Sequence, residues 1–466
     1  MKVVERNARQ ASGQPFRPVG ETGRSSGRSA FFSAEPILAL LVVITVGYDR
    51  PTYLWTYPAE WGGYRSLVLG FTLLGLALLA IWNWVSGRPA KASGAVAGDR
   101  VWLIAGTALL ATVAMSMVAA LAPVLSLARL VEVAIGLAAA GAIARRPALA
   151  RWLVFGLAAL VLVELPVALL QQVTQSTFPE GTLLGAGGEI PASAPGAFVV
   201  FGANGLRWER AMGTFIHPNL LGGFVALSLV LGLPQVLAAR ASRGFWLAVW
   251  AAGWVLLGLA FSRTAVLALV IGGAVIVCAA LRTERRWQVL VVPPALVALG
   301  ALLFDLAIAH DVVAGWFIPS AATLGGPSVA QRGLSVTIAL DLIRAHPVLG
   351  IGAGNFTLVE LLPPIDAAMV DPVHVVPLLV IAEAGPLAGL AWLALVVSPV
   401  IRLRGPGSRL SPRALAGLGV SAALLTIGLL DHYLWTLPTG RALFWLSLGI
   451  ARSGIIMTGE PEVANG

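Results

Sequence analysis

A chain of 466 residues that is 58% hydrophobic and only 11% charged is not a soluble globular protein, in which roughly a quarter of the residues carry charge. Its formal net charge of +9 sits in short basic clusters between apolar runs, the footprint of membrane topology rather than of a nucleic-acid groove. The single cysteine, Cys278, excludes an internal disulfide and, lying in an apolar run, reports no redox compartment.

Residues 1–30 are polar and rich in Gly, Ser and Arg, with no apolar period of 2 or 3.6, and are expected to form a disordered tail. The first apolar run, near 31–48, lacks a small-x-small cleavage site and is predicted to stay in the chain as a helix. Runs of the length a helix needs to cross a bilayer, roughly 17–25 residues, then recur. They lie near 66–86, 101–119, 122–143, 152–171, 213–238, 245–261, 264–281, 288–309, 374–401, 414–431 and 440–457. The fold class is therefore an all-α polytopic membrane protein with about twelve transmembrane helices and both termini on one side.

The cations orient it. With the N-terminus in the cytoplasm, every inside linker is basic. Arg88, Lys91 and Arg100 lie in one such linker, Arg145, Arg146 and Arg151 in the next, then Arg240 and Arg243, then Arg282, Arg285 and Arg286, then Arg402, Arg404, Arg409 and Arg413. The outside keeps only Arg50, Arg65, Arg207, Arg210, Arg263, Arg332, Arg344 and Arg441. That asymmetry is the positive-inside bias. It makes 31–457 the transmembrane domain, 1–30 and 458–466 cytoplasmic tails, and 172–212 and 310–373 two long extracytoplasmic loops. The first loop is Gly/Pro/Ala-rich and expected to be irregular. The second holds an amphipathic stretch, Val329 to Ile343, in which Leu334 and Ile338 recur near helical spacing. It is expected to lie along the outer interface.

The few outside cations stand out, because topology by itself would remove them. Arginine offers a planar, permanently charged fork that matches phosphate oxygens in pairs. Arg207 and Arg210 end the first loop, Arg263 sits in a tight outward turn, and Arg332 opens the amphipathic stretch. Together they suit a pyrophosphate; contact with lipid headgroups is the bland alternative for each. His217-Pro218-Asn219 opens an apolar segment, and its proline suits a first helical turn. That group is expected chiefly to shape the helix start. His374 falls at the outer mouth of a span, where a neutral imidazole can accept a proton from a hydroxyl, or simply cap a helix.

Asp431-His432-Tyr433-Leu434-Trp435 ends another span on the same side. Asp431 and His432 can contact sugar; Trp435 can stack on it or anchor the interface. Within the spans Arg129 and Glu132 stand i, i+3 and can neutralise each other; Glu164 and Glu383 are further intramembrane acids. His346 to Phe356, with Gly350, Gly352 and Gly354, lacks the spacing of a dinucleotide fingerprint and is expected to be a flexible turn folding over a groove. No sequence spacing suggests metal ligands, so no metal and no cofactor are expected.

Glu209-Arg210-Ala211-Met212-Gly213-Thr214-Phe215-Ile216-His217-Pro218-Asn219 resembles the Arg-x-x-Gly-Thr-Phe-x-His-Pro-Asn signature of the O-antigen ligase and polymerase superfamily. A second segment, His374-Val375-Val376-Pro377-Leu378 followed by Glu383-Ala384-Gly385-Pro386-Leu387-Ala388-Gly389, is similar to that family's His-Asn-x-x-Leu and Glu-x-Gly-x-x-Gly helix. Val375 stands where the family has asparagine. The resemblance covers roughly 200–390 and implies a GT-C-like membrane glycosyltransferase of cell-envelope polysaccharide or lipopolysaccharide biosynthesis. It implies transfer of a glycan from an undecaprenyl-pyrophosphate carrier to an acceptor hydroxyl, at the periplasmic face of the bacterial inner membrane. By this resemblance Arg210 and Arg263, assisted by Arg332, bind the diphosphate, and His374 is the base of an inverting, metal-independent reaction. His217, Asn219, Arg207, Asp431 and His432 support these groups or touch sugar.

The expected acceptor is lipid A-core, as in a ligase. The alternative is a second lipid-linked glycan, as in a polymerase, and less favoured are a protein hydroxyl or transport without transfer. Nucleic acid is not an expected partner; membrane lipids are. A transporter would place its arginines near the bilayer midplane on interrupted helices of repeated halves, whereas here they gather at one mouth.

Overall fold

The computed structural model describes residues 34–49, 52–56, 65–87, 97–176, 199–201, 207–238, 242–283, 291–292, 294–303, 306, 326–360, 372–403 and 412–453. Both expected tails and parts of the two long loops lie outside these residues. The elements in chain order are α1 (Ala34–Gly47), β1 (Thr52–Thr56), β2 (Arg65–Leu69), α2 (Phe71–Val85), α3 (Ala97–Ser116), α4 (Pro123–Arg145) and α5 (Pro147–Thr174). There follow β3 (Val199–Phe201), β4 (Arg207–Glu209), α6 (Pro218–Ala238), α7 (Arg243–Ala260), α8 (Arg263–Thr283) and α9 (Pro294–Leu303). The remainder are α10 (Gly326–Ala345), α11 (Phe356–Glu360), α12 (Val376–Ala384), α13 (Pro386–Leu403), α14 (Pro412–Leu430), α15 (Tyr433–Thr436) and α16 (Pro438–Ser453).

The helical membrane class follows directly. Among the described residues α4, α5, α6, α7 and the segment Asp99–Ala119 are long and apolar enough to cross a bilayer, accompanied by shorter apolar helices at α1, α2, α8, α9, α13 and α14. Proline does much of the punctuation. Pro123, Pro147, Pro218, Pro386, Pro412 and Pro438 are each the first residue of their helix, where the missing N–H would have had no partner anyway.

At the centre stands α6, 94% buried over its apolar window. Five helices, α7, α8, α14, α16 and α5, enclose it. Outside this core α13 packs on α3 and α8 on α14. The helix that His217 precedes is thereby held by five neighbours.

Several expectations are corrected. Two antiparallel hairpins, β1 with β2 and β3 with β4, interrupt the all-α pattern. The second lies in the segment expected to be irregular, and β2 takes the start of the predicted 66–86 span. The predicted 213–238 span begins as a turn, and its helix starts only at Pro218. The predicted 374–401 span is two helices, α12 and α13, broken at Gly385 with φ 85°.

The glycine-rich segment before α11 is a wedge rather than a flexible turn. Ile351 N donates to Ala382 O at 3.0 Å and Gly352 N to Glu383 O at 2.9 Å, so the segment satisfies the broken end of α12. Gly350 has φ 67°, and a Cβ there would stand 2.4 Å from the Glu383 carbonyl carbon. Only glycine permits that approach. Asn355 and Ser126 close the other side, with Asn355 Oδ1 accepting from Ala122 N at 2.8 Å and Ser126 Oγ donating to Ala353 O at 2.9 Å. The 329–343 stretch is helical as expected, within α10, but its apolar residues spread around that helix instead of forming one face.

Candidate functional site

The turn leading into α6 is gripped by α5. Glu164 and Gln171 are seven residues apart, hence on one face of that helix. Glu164 Oε2 accepts from Thr214 N at 2.8 Å, and its Oε1 lies 2.6 Å from the Thr214 hydroxyl, which also meets the Gly47 carbonyl. Gln171 Oε1 accepts from Met212 N at 3.1 Å and Gly213 N at 2.8 Å, while its amide donates to Gly213 O at 2.9 Å. Gly213 takes φ 59°, and a Cβ there would lie 2.0 Å from Glu164 Oε2. The intramembrane acid Glu164 is therefore a clamp for backbone. Gln171 was missed from sequence, although a polar residue seven positions from Glu164 in an oily helix was a readable signal.

Arg210 is 6% exposed and inward-facing. Its Nε donates to Ala260 O at 3.0 Å, and one terminal nitrogen donates to Phe261 O at 3.3 Å and to Asn219 Oδ1 at 2.5 Å. Ala211 N donates to Leu259 O at 3.0 Å. This segment thus caps the C-terminus of α7, where carbonyls lack partners and a cation is favoured. Phe261 ends α7 in the left-handed region, φ 49°, and α8 begins two residues later at Arg263, which is exposed. Burial pushes the Arg210 guanidinium down to about 10 against the raising effect of Asp431, and Arg263 and Arg332 add to the lowering. Arg263 and Arg332 therefore both act on Arg210, although the three come from the α6 approach, α8 and α10. Arg332 is exposed, on a helix packed against α12.

Around them stand three histidines and one buried carboxylate. His217 precedes α6 and accepts from Asn219 N at its Nδ1, 3.0 Å. It is an N-cap, so the helix-start reading of His-Pro-Asn holds. Burial pushes its imidazole down to about 3, with Arg210, His432 and His374 adding to the effect. Asp431 is 2% exposed. Its Oδ2 accepts from Asn219 Nδ2 at 2.8 Å and its Oδ1 from His432 N at 2.8 Å. Burial raises its carboxyl above the usual range, opposed chiefly by His374.

The His374 and His432 rings meet edge to face, centroids 4.8 Å apart. Burial lowers His374 to about 4 and His432 to about 4; Asp431 and the Pro372 carbonyl resist this for His374, and Arg332 reinforces it for both. The hydrogen bond of His432 Nδ1 with Thr436 Oγ1, 2.6 Å, holds its ring. All three imidazoles are neutral near pH 7.

His374, Asp431 and His432 each bring a ligand-type atom within 4.8 Å of the others, a grouping no local spacing revealed. Arg210 and Arg332 act on the same atoms, and their charge opposes a cation there while favouring an anion. Chemically the site offers positive charge for an oxyanion beside a neutral base with a carboxylate behind it. Arg207 lies in β4, and its side chain lies outside the described residues.

The short α15 that follows Asp431 and His432 rests on a buried ionic network. Arg129 pairs with Glu132 at 2.9 Å, as its i, i+3 spacing suggests, and Glu132 also takes Arg441 at 2.8 Å. Arg441 in turn donates to Thr436 O. Trp435 is 3% exposed and donates to Glu383 Oε2 at 2.7 Å, so it is neither an interfacial anchor nor a sugar platform. Glu383 also accepts from Phe356 N at 3.2 Å, tying the glycine wedge to the same support.

The depressed histidines make folding acid-sensitive. An unfolded chain takes up protons near the ordinary histidine value of 6.5, whereas these folded sites resist until about 3 to 4. Stability is therefore full above about pH 6.5 and lost as pH falls from there toward about 4. Thermal melts in detergent across that window are expected to show a falling Tm; a flat profile would show that these rings protonate freely in the fold.

Residues 246–393 match the family model described as O-Antigen ligase. Arg263, Arg332 and His374 fall inside the matched segment, and Arg210, Asn219, Asp431 and His432 outside it. No curated protein matches the chain.

Proposed function

We propose that this chain, whose residues 246–393 match the family model described as O-Antigen ligase, moves a glycan from an undecaprenyl-pyrophosphate carrier to an acceptor hydroxyl at the outer face of the inner membrane. The observation that carries this reading is the convergence of Arg210, Arg263 and Arg332 with the neutral His374 and buried Asp431 at the mouth of one central helix.

Arg263 and Arg332, both exposed, grip the diphosphate with their forks. Arg210, tied to backbone, adds charge from behind. His374 removes the proton of the acceptor hydroxyl, whose oxygen attacks the anomeric carbon from the face opposite the diphosphate. The sugar–phosphate C–O bond breaks, its electron pair leaves on the carrier diphosphate, and the arginines stabilise that growing charge. Asp431 balances the imidazolium that forms. The product bond is inverted, and arginine charge does the work a metal would otherwise do.

A transfer assay with purified protein in lipid, supplied with the carrier-linked glycan and either lipid A-core or a second lipid-linked repeat, tests the reading. Product on lipid A-core is expected. Lengthened carrier-linked chains would make it a polymerase instead. Donor capture without product on either acceptor would overturn both, in favour of a protein hydroxyl or transport.

A further inference from the structure

We infer that Asn219 is a positioning residue that couples the diphosphate arm of the site to its base, an inference that rests on the transfer reading above. Its side-chain amide stands between the two halves. Oδ1 accepts from Arg210 at 2.5 Å, and Nδ2 donates to Asp431 Oδ2 at 2.8 Å across 212 residues of sequence. Each partner demands one end of the amide. A guanidinium only donates and an ionised carboxylate only accepts, so the order Arg210, Asn219, Asp431 has a single sense.

The chain of contacts continues outward on both sides. Arg210 holds the Phe261 carbonyl, two residues before Arg263. Asp431 holds the backbone N–H of His432, whose ring packs on His374. Asn219 itself is anchored, because its own N–H is taken by His217 and it occupies the first turn of the enclosed α6. An amide on that rigid post fixes the Asp431 carboxylate beside His374 and fixes Arg210 against the turn that presents Arg263. Asparagine fits where aspartate does not: the isosteric carboxylate still accepts from Arg210 but sets two acceptors face to face at Asp431.

The test is Asn219→Asp with the double variant Asn219→Asp/Asp431→Asn, in the transfer assay with undecaprenyl-pyrophosphate-linked glycan as donor. The double variant restores a donor facing an acceptor but moves the negative charge off the position beside His374. Asn219→Asp is expected to lower kcat on the order of tenfold to hundredfold, with the donor KM nearly unchanged. The double variant is expected to recover wild-type Tm without recovering kcat, so poor folding of the single variant does not hide the result.

Recovery of both Tm and kcat in the double variant would show that any well-formed hydrogen bond suffices, and wild-type kcat in folded Asn219→Asp would show that the link is idle. Either overturns the inference, as does a raised donor KM with kcat intact. His374→Ala run alongside separates the two readings. If that variant is silent while Asn219→Asp is normal, only the coupling fails; if it turns over normally, the base assignment itself fails.

Discussion

His374→Ala lowers the transfer rate by roughly a hundredfold to ten-thousandfold, the range a positioned general base supplies, and leaves capture of the carrier-linked donor largely intact. The histidine packs on His432 and feels Asp431, Arg332 and the Pro372 carbonyl. Its neutral ring near pH 7 is what a base requires. The wild-type rate is accordingly expected to hold through the neutral range and to fall as pH drops toward about 4, where the imidazole carries a proton before the acceptor arrives. Single-turnover measurement with donor bound isolates the step. Ordinary turnover in the alanine variant would remove His374 from the chemistry.

Arg263→Lys keeps the charge and loses the fork. Arg263 is exposed at the first residue of α8, so the change leaves packing alone and Tm should not move. A lysine ammonium contacts diphosphate as a point, without the paired, planar match of a guanidinium. Losing a charge-assisted hydrogen bond of about 1.5–3 kcal/mol lowers the rate by about tenfold to a hundredfold. The loss should fall mainly on kcat, because negative charge on the leaving diphosphate grows toward the transition state. A variant with near-normal kcat, or one impaired only in KM, would show that Arg263 does not hold the departing diphosphate in this way.

Much of the class was legible in the residues. Apolar run length and the scarcity of charge are local properties of a chain, and they suffice for a helical membrane protein because lipid demands satisfied backbone and apolar faces. The proline-led start of α6, the helix holding Arg332 and the Arg129–Glu132 pair were also readable, since each depends on positions within a turn or two. Even the helix-start role of His217 could be argued from its neighbours.

What only the tertiary structure decided are relations between distant residues. That Arg210 is turned inward onto α7, that Asn219 faces Asp431, and that Trp435 is buried on Glu383 all depend on how helices far apart in sequence rotate against one another. That rotation is set by side-chain packing around α6, and no period in the sequence records it. The hairpins and the break at Gly385 escaped for a related reason. Hydropathy integrates over about twenty residues, whereas a break needs one residue with positive φ and a partner strand or wedge supplied from elsewhere. The sequence by itself determined a membrane-spanning helical protein with a few arginines and histidines at the borders of its apolar runs. The fold decided which of them meet, because hydrogen bonds between distant buried groups are made by packing and leave no local mark.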